Sequence, residues 1–380
     1  MNLEDYRQQI DQADDALLRA FCDRMEIAAK IAAYKKEQDL PVLDSGRERK
    51  KLKAIAEKAG PEMEDYATVL YALLFELSRA YQGHLLDQTT GLTRQITTAI
   101  EETPRLFPPK AQVACQGVEG AYSQAACERL FRMPSISYFS SFDAVFSAIE
   151  MGFCQYGVIP LENSTAGSVK MVYDLMIRHN FYITRSVRIK VDHNLVARKG
   201  VKLSDIKEIV SHEQAITQCS SFLDTLKGVK ITRCANTAAA AKLVAESGRT
   251  DLAALCSRNC IELYDLDCLA EAVQNQQNNY TRFICISRNL EIYPGADRTS
   301  LMMVLPHRAG SLYKVLARFY AQNINLIKLE SRPMPDRDFE FMFYFDLETS
   351  VYSPEFIQLM GELQTISEEF KYLGSYSEVV

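Results

Sequence analysis

The spacing of apolar residues changes character twice along these 380 residues, and that change constrains the fold more than any single motif. Residues 1 to 83 carry apolar side chains at near-helical intervals (Ile10, Ala13, Leu17, Phe21, Ile27, Ile31, Tyr34), with prolines only at Pro41 and Pro61. The pattern predicts one very long helix, a second after Pro41-Val42-Leu43-Asp44-Ser45, and a third after Gly60-Pro61. Residues 84 to 110 are only weakly periodic, end in Thr103-Pro104 and Pro108-Pro109, and read as a linker. From 111 to 287 short apolar runs lead into polar residues and a helix: VACQG before Ser123, ISYF before Ser141-Phe142-Asp143, YGVIP before Asn163-Ser164, EIVSH before Gln214. This alternation predicts an α/β domain with parallel strands. From Thr299 the order is strand, helix, two strands, helix, strand, a βαββαβ unit of ferredoxin-like type.

Three such regimes exceed a single core, so the chain is expected to be multidomain. A net charge of −6, without a concentrated basic tract, argues against a nucleic-acid partner. The opening MNLEDYRQQIDQADD is too polar for a secretory signal, and no apolar run approaches the ~20 residues that span a bilayer. A cytoplasmic protein with no membrane partner is expected. The ten cysteines are scattered without a CxxC pair, and Cys256 and Cys260 have no histidine near in sequence. Reduced thiols serving as small apolar residues are therefore expected, with no metal.

Within the helical segment the polar residues to weigh are Arg7, Arg24, Lys35, Asp44, Arg47, Glu48, Ser78 and Gln82. Arg24 and Lys35 are eleven residues apart, within about 20° on one helix face and roughly 16 Å along it, so two long cations can bracket a small dianion. Arg7 lies roughly 25 Å and about 100° away from Arg24 on the same helix. It can serve such a ligand only as a partner's residue in an intertwined dimer. Ser78 and Gln82 share a face of the third helix. Each residue alone reads more readily as a solvated group on a helical bundle.

As a set they resemble the all-helical chorismate mutase family, over nearly all of residues 3 to 82. The resemblance implies dianion-binding roles for Arg7, Arg24 and Arg47, an ether-oxygen role for Lys35, and further site roles for Asp44, Glu48, Ser78 and Gln82. The implied reaction is a Claisen rearrangement, with no proton to move and no nucleophile. Holding the diaxial conformer and stabilising charge on the breaking ether oxygen suffice. Lys35 and the neutral Gln82 would donate to that oxygen.

The α/β segment carries Glu162-Asn163-Ser164, Ser211-His212 with Gln218-Cys219, and Thr281-Arg282-Phe283 behind a polar tract from Gln274 to Asn279. Helix N-termini at Asn163-Ser164, Ser211-His212 and Asn236-Thr237-Ala238 would offer anion sites at the strand ends, although each alone is commonly only a cap. These motifs resemble the prephenate dehydratase family over 111–287, with departures at Val118, Gln124, Arg185-Ser186 and Glu213. The resemblance implies a two-lobed, periplasmic-binding-protein-like α/β domain that needs no cofactor, since aromatisation drives the reaction. It implies a catalytic Thr281, Glu162 as relay or orienter, and Asn163, Ser164, Ser211, Gln218 and Phe283 at the substrate. Arg282 would meet a substrate carboxylate or form a structural ion pair.

At the C-terminus, Gly310-Ser311-Leu312 and Glu330-Ser331-Arg332-Pro333 resemble the ACT regulatory family, an α+β unit. The resemblance implies an L-phenylalanine effector held at a subunit interface, with the Gly310 turn letting backbone N–H groups approach its carboxylate. A unit used only for dimerisation is the alternative. Taken together, the chain reads as a bifunctional enzyme of phenylalanine biosynthesis. It would turn chorismate into prephenate and prephenate into phenylpyruvate, under phenylalanine feedback, as a homodimer or larger homo-oligomer. The expected domains are 1–83, a linker 84–110, 111–287 and 298–380. Preference for arogenate, or a small-molecule-binding module without catalysis, are the competing readings. A mutase–dehydrogenase is disfavoured because no GxGxxG follows a strand.

Overall fold

The computed structural model describes the chain apart from residues 1, 39, 41–43, 86–90, 335–336, 338–339 and 380. Pro41-Val42-Leu43, in the break expected before the second helix, therefore lies outside the described residues, which resume at Asp44. Four helices open the chain: α1 (Leu3–Glu37), α2 (Ser45–Ala59), α3 (Glu64–Leu85) and α4 (Gly91–Glu102). Strand and helix then alternate through β1 (Lys110–Gln116), α5 (Tyr122–Leu130), β2 (Met133–Phe139), α6 (Phe142–Glu150) and β3 (Tyr156–Asn163). Next come β4 (Gly167–Ser168), α7 (Lys170–Arg178), β5 (Tyr182–Lys190), β6 (Asn194–Arg198), β7 (Glu208–Ser211), α8 (Glu213–Gln218) and α9 (Ser220–Leu223). They are followed by β8 (Lys230–Arg233), α10 (Thr237–Glu246), β9 (Leu252–Cys256), α11 (Asn259–Leu263), β10 (Leu266–Ala270) and β11 (Tyr280–Ser287). The last elements are β12 (Arg298–Val304), α12 (Ser311–Ala321), β13 (Asn325–Pro333), β14 (Phe341–Glu348), α13 (Pro354–Ile366) and β15 (Glu369–Val379).

These elements form two compact units. One gathers Met1–Gln95, Pro306–Gln322 and Tyr352–Glu368; the other holds Ile96–Leu305, Asn323–Val351 and Glu369–Val380. In the helical unit, α1 starts on a capping box in which Asn2 and Asp5 exchange side-chain-to-backbone bonds at 2.9 and 2.7 Å. It ends with Lys35 and Lys36, which suit the negative end of the helix dipole. Asp44 caps α2 by accepting from the Arg47 N–H at 2.9 Å. Only Ala28 and Ala32 of α1 are buried, while Leu3, Tyr6, Ile10, Leu17, Leu18, Ile27, Ile31 and Tyr34 remain exposed. Helix α4 occupies part of the stretch read as a linker. Its Leu92, Ile96 and Ala99 recur every three or four residues, and Ile96 is fully buried.

The second unit contains two sheets. The ten-stranded sheet runs β13-β14-β12-β15-β5-β11-β3-β1-β2, with β4 paired to β3; the five-stranded sheet runs β10-β6-β9-β7-β8. Strands β1, β2 and β3 pair in parallel, as do β7, β8 and β9. The expected parallel strands are thus present, within sheets that are mixed. Strands β6 and β11 are each reached without an intervening helix, and both run antiparallel to their neighbours. Strands β13, β14, β12 and β15 pair antiparallel in the order of a βαββαβ unit. Strand β15 then continues the sheet by pairing in parallel with β5, Ser377 opposite Arg185. The core on one face joins Ile159, Tyr173, Ile284, Met302 and Tyr344.

Gly374 lies where β15 changes register against β12, at φ +126°, and a Cβ there would sit 2.5 Å from the Ile183 carbonyl oxygen. Gly374→Ala is expected to destabilise this unit by at least the ~1–3 kcal/mol typical of one strained residue, read as a lower denaturation midpoint. A midpoint equal to wild type would show that the junction can shift to admit a methyl. The ten cysteines are free thiols, seven of them buried. Among the described residues no helix is long and apolar enough to cross a membrane.

Candidate functional sites

Asn163 is the hub of the α/β site. The sequence places it at a helix N-terminus, but the structure makes it the last residue of β3, ahead of a tight turn; α7 begins only at Lys170. Its side-chain oxygen accepts from the backbone N–H groups of Thr165 (3.0 Å) and Ala166 (2.9 Å). Backbone amides only donate, so this fixes which end of the Asn163 carboxamide is oxygen. Its Nδ2 must then face the other way, where it donates to Asn279 Oδ1 at 2.7 Å and to Thr281 Oγ1 at 2.9 Å. Strand register makes that meeting possible, since β11 pairs with β3 with Thr281 directly opposite Asn163. The Thr281 hydroxyl thus accepts from Asn163, while its own proton has no acceptor among the described residues. Thr281 is partly exposed, so that proton can point at a ligand.

A chain of amides stands behind the hub. The Thr165 hydroxyl donates to Asn163 Oδ1 at 2.7 Å and accepts from Gln218 Nε2 at 3.0 Å. Gln218 Oε1 accepts from Asn279 Nδ2 at 3.0 Å and lies 2.9 Å from His193 Nε2. That oxygen has no proton to give, so His193 must carry its hydrogen on Nε2. Burial lowers the His193 pKa and keeps the ring neutral. The polar tract from Gln274 to Asn279 therefore has a structural reason. Asn279 and Gln274 are buried, with Gln274 bonded to the His193 N–H and to Asp192. Thr165, Asn279 and His193 were not singled out from sequence, although the first two lie in or beside the motifs read there.

Four residues expected at the substrate bond or pack against groups of the protein itself. Ser211 is fully buried and donates to the Leu255 carbonyl at 2.8 Å, tying β7 to the neighbouring β9; the helix cap beside it is His212. Phe283 is 2 % exposed within the core around Val113, Val158 and Cys285. Ser164 donates to the Asn278 carbonyl and accepts from the Tyr280 N–H, closing the turn onto β11. Arg282, 4 % exposed, pairs with Glu162 at 3.1 Å, with the fully buried Asp346, and with the Tyr376 hydroxyl at 3.0 Å. Burial alone would lower its pKa, but Tyr376, Asp346, Tyr344 and Glu162 hold it above the ordinary value. These pairs match the structural one of its two expected roles, and strand alternation turns it inward to make them. Glu162 is gripped by Arg282 and by Lys328, which also donates to Ser168 at 2.9 Å. Both its oxygens being engaged by cations, it has the surroundings of an orienting residue. Asn236 caps α10, one of the two readings of that junction, by accepting from the Ala239 N–H at 2.7 Å.

The helical unit assembles a second site. Arg24 of α1 donates to the Leu74 carbonyl at 3.1 Å, bonds to Ser78, and lies 5.5 Å from the Phe75 ring centroid. Burial lowers its pKa, while Tyr71 and Glu48 nearby raise it. Gln82, one turn beyond Ser78 on α3, is buried, and its Oε1 has no hydrogen-bond partner among the described residues. Glu48 of α2 is ion-paired to Arg79 of α3. Asp44 is taken up in capping α2, Arg47 is exposed, and Lys35 is half-buried. Arg7 is exposed beside Glu4, 3.3 Å away, and the unbroken α1 keeps it from the Arg24 site of its own chain.

The C-terminal residues divide between the units. Gly310 precedes α12 with φ +81°, a backbone that a side chain would strain. Leu312 and Ser311 open that helix. On β13, Glu330 accepts from Ser168 at 2.7 Å, Arg332 grips Asp174 with contacts of 2.7 to 2.9 Å, and Ser331 between them is exposed.

Two family models match the chain: chorismate mutase type II over residues 6–83 and prephenate dehydratase over 113–291. The bifunctional chorismate mutase/prephenate dehydratase of Escherichia coli K12 is 31% identical across 97% of this chain and 95% of its own length. A chloroplastic arogenate dehydratase/prephenate dehydratase of Arabidopsis thaliana is 36% identical over 70% of this chain and 72% of that protein. Among solved structures, the prephenate dehydratase of Arthrobacter aurescens in complex with L-Phe superposes with a TM-score of 0.65 at 28% identity. It covers 70% of this chain and 90% of the other.

Proposed function

This chain belongs to the family of bifunctional chorismate mutase/prephenate dehydratases, and from that premise we propose how its residues divide the two reactions. It is an isomerase that turns chorismate into prephenate and a lyase that turns prephenate into phenylpyruvate, in phenylalanine biosynthesis. Carrying the mutase on the same chain makes prephenate, rather than arogenate, the substrate delivered to the second site. A coupled assay tests this, with chorismate supplied and phenylpyruvate read out. Turnover of arogenate far above prephenate would overturn the substrate assignment.

The observation that carries the dehydratase reading is the directed bond from Asn163 to Thr281, which leaves the threonine proton free to polarise the departing ring hydroxyl. Gln218, Thr165, Asn279 and His193 act by fixing that amide, and Glu162 by keeping its place beside it. Loss of carbon dioxide and water makes an aromatic ring, so no cofactor is needed. In the mutase, Arg24 and Arg47 clamp carboxylates while Lys35 and Gln82 donate to the ether oxygen. That donation uses Gln82 Nε2, and the unpartnered Oε1 is left to accept from a substrate hydroxyl. Because Gln82 does not ionise, mutase kcat/KM is expected to stay nearly level from pH 6 to 9. A steep fall across that range would remove Gln82 from its role.

The exposed apolar stripe of α1 supports a homodimer in which Arg7 crosses to the partner's site. L-phenylalanine would bind the C-terminal βαββαβ unit as feedback inhibitor, with the Gly310 turn presenting N–H groups to its carboxylate. Titration calorimetry without a phenylalanine signal would leave that unit a dimerisation module. Ten free thiols fit a cytoplasmic setting.

A further inference from the structure

One ionic chain in the helical unit runs from Glu48 through residues that neither reaction uses. Arg79 of α3 holds Glu48 of α2 and also reaches Glu76, one turn back on its own helix. Glu76 in turn takes Lys314 Nζ at 3.0 Å and Arg318 Nη2 at 2.9 Å, both from α12. Arg318 lies 3.7 Å from Glu362 of α13. The side chains of Glu76 and Arg318 are 11% and 9% exposed, so water screens these pairs far less than ordinary surface pairs. Burial would raise the Glu76 pKa, but Arg79, Arg318 and Lys314 bring it below the ordinary value.

We propose that Arg79 is a positioning residue for the mutase reaction, holding Glu48 in place, and that α12 sets the strength of this hold through Lys314, Arg318 and Glu76. The proposal rests on the reading of Glu48 as part of the mutase site. A carboxylate beside Arg24 in a pocket built for a dianion repels that dianion unless a cation balances it. Arg79 is that cation, and its planar fork spans two carboxylates, Glu48 on one side and Glu76 on the other. The two carboxylates compete for it. Lys314 and Arg318 share the charge of Glu76 and thereby weaken its pull on Arg79, which keeps its hold on Glu48. A helix about 240 residues later in the chain than Glu76 thus enters the balance of the mutase site.

The test uses the full-length chain and measures both activities together. Arg79→Gln is expected to lower mutase kcat/KM by about tenfold, mostly through KM, with dehydratase kcat/KM within about twofold of wild type. Arg79→Lys should recover most of that loss, because it restores the charge. The double variant Lys314→Gln/Arg318→Gln, outside the catalytic machinery, should lower mutase kcat/KM by roughly threefold. Adding Glu76→Gln to it should bring the activity back, since no anion then draws Arg79 away. Far-UV circular dichroism and intact dehydratase activity report folding. Loss of mutase activity in Glu48→Gln with Arg79→Gln at wild-type level overturns the inference alone. A neutral Glu48→Gln, or a wild-type chain without mutase activity, overturns the site reading beneath it. A double variant that the Glu76 change fails to restore removes α12 from the chain.

Discussion

Replacing Thr281 by alanine is expected to lower prephenate dehydratase kcat by roughly 10²–10⁴-fold, the range for losing one positioned proton donor, and to leave mutase turnover unchanged. The argument is directional. Thr165 and Ala166 N–H groups set the Asn163 carboxamide, that carboxamide donates to Thr281, and the threonine proton is left for the substrate. Thr281→Ser keeps a hydroxyl opposite Asn163 and should retain much of the rate. Asn163→Asp replaces the donor by an acceptor, which would draw the Thr281 proton onto itself and away from substrate. Equal loss of both activities in a folded Thr281→Ala protein would break the two-site model. Unchanged dehydratase turnover would remove the threonine from the chemistry.

Arg282→Met is expected to act on stability rather than on substrate binding. It strips the partner from Asp346, which is fully buried and also bonded by the hydroxyls of Ser300, Tyr344 and Tyr376. Removing one side of a buried pair typically costs about 3–5 kcal/mol, because the other charge is left without compensation. For a unit of this size that lowers the unfolding midpoint by roughly 6–20 °C. Adding Asp346→Asn removes the stranded charge and should recover part of the loss. A Met variant with wild-type melting but a raised KM for prephenate would return Arg282 to the substrate carboxylate.

The contrast between Thr281 and Arg282, adjacent in one motif, shows where sequence reasoning reaches its limit. Neighbours in a strand point to opposite faces. The motif identifies both residues as unusual, but only the pairing of β11 with β3 and β5 says which faces the hub and which faces the interior. Ser211 and Phe283 need more than alternation, since Phe283 shares the Thr281 face and differs only in lying deeper in the sheet. Their motifs are legible, yet their side chains are used by the Leu255 carbonyl and by the core. His193 escaped notice because a lone histidine before a strand carries no local signal; its meaning comes from Gln218, 25 residues away. Helix α4 was hidden by the prolines that follow it, although its apolar spacing was present.

What the amino-acid order decided alone is what repeats every few residues. The three opening helices, the Asn2 and Asp44 caps, the Ser141 and Asn236 caps and the βαββαβ strand pattern follow from local preferences that each segment carries itself. Tertiary structure decided the partnerships: Asn163 with Thr281 across 118 residues, Glu162 with Lys328 across 166, Arg318 with Glu76 across 242. Such contacts depend on how sheets close and helices meet, and a hydrogen bond or ion pair is specified by a distance of a few ångströms that no local pattern encodes.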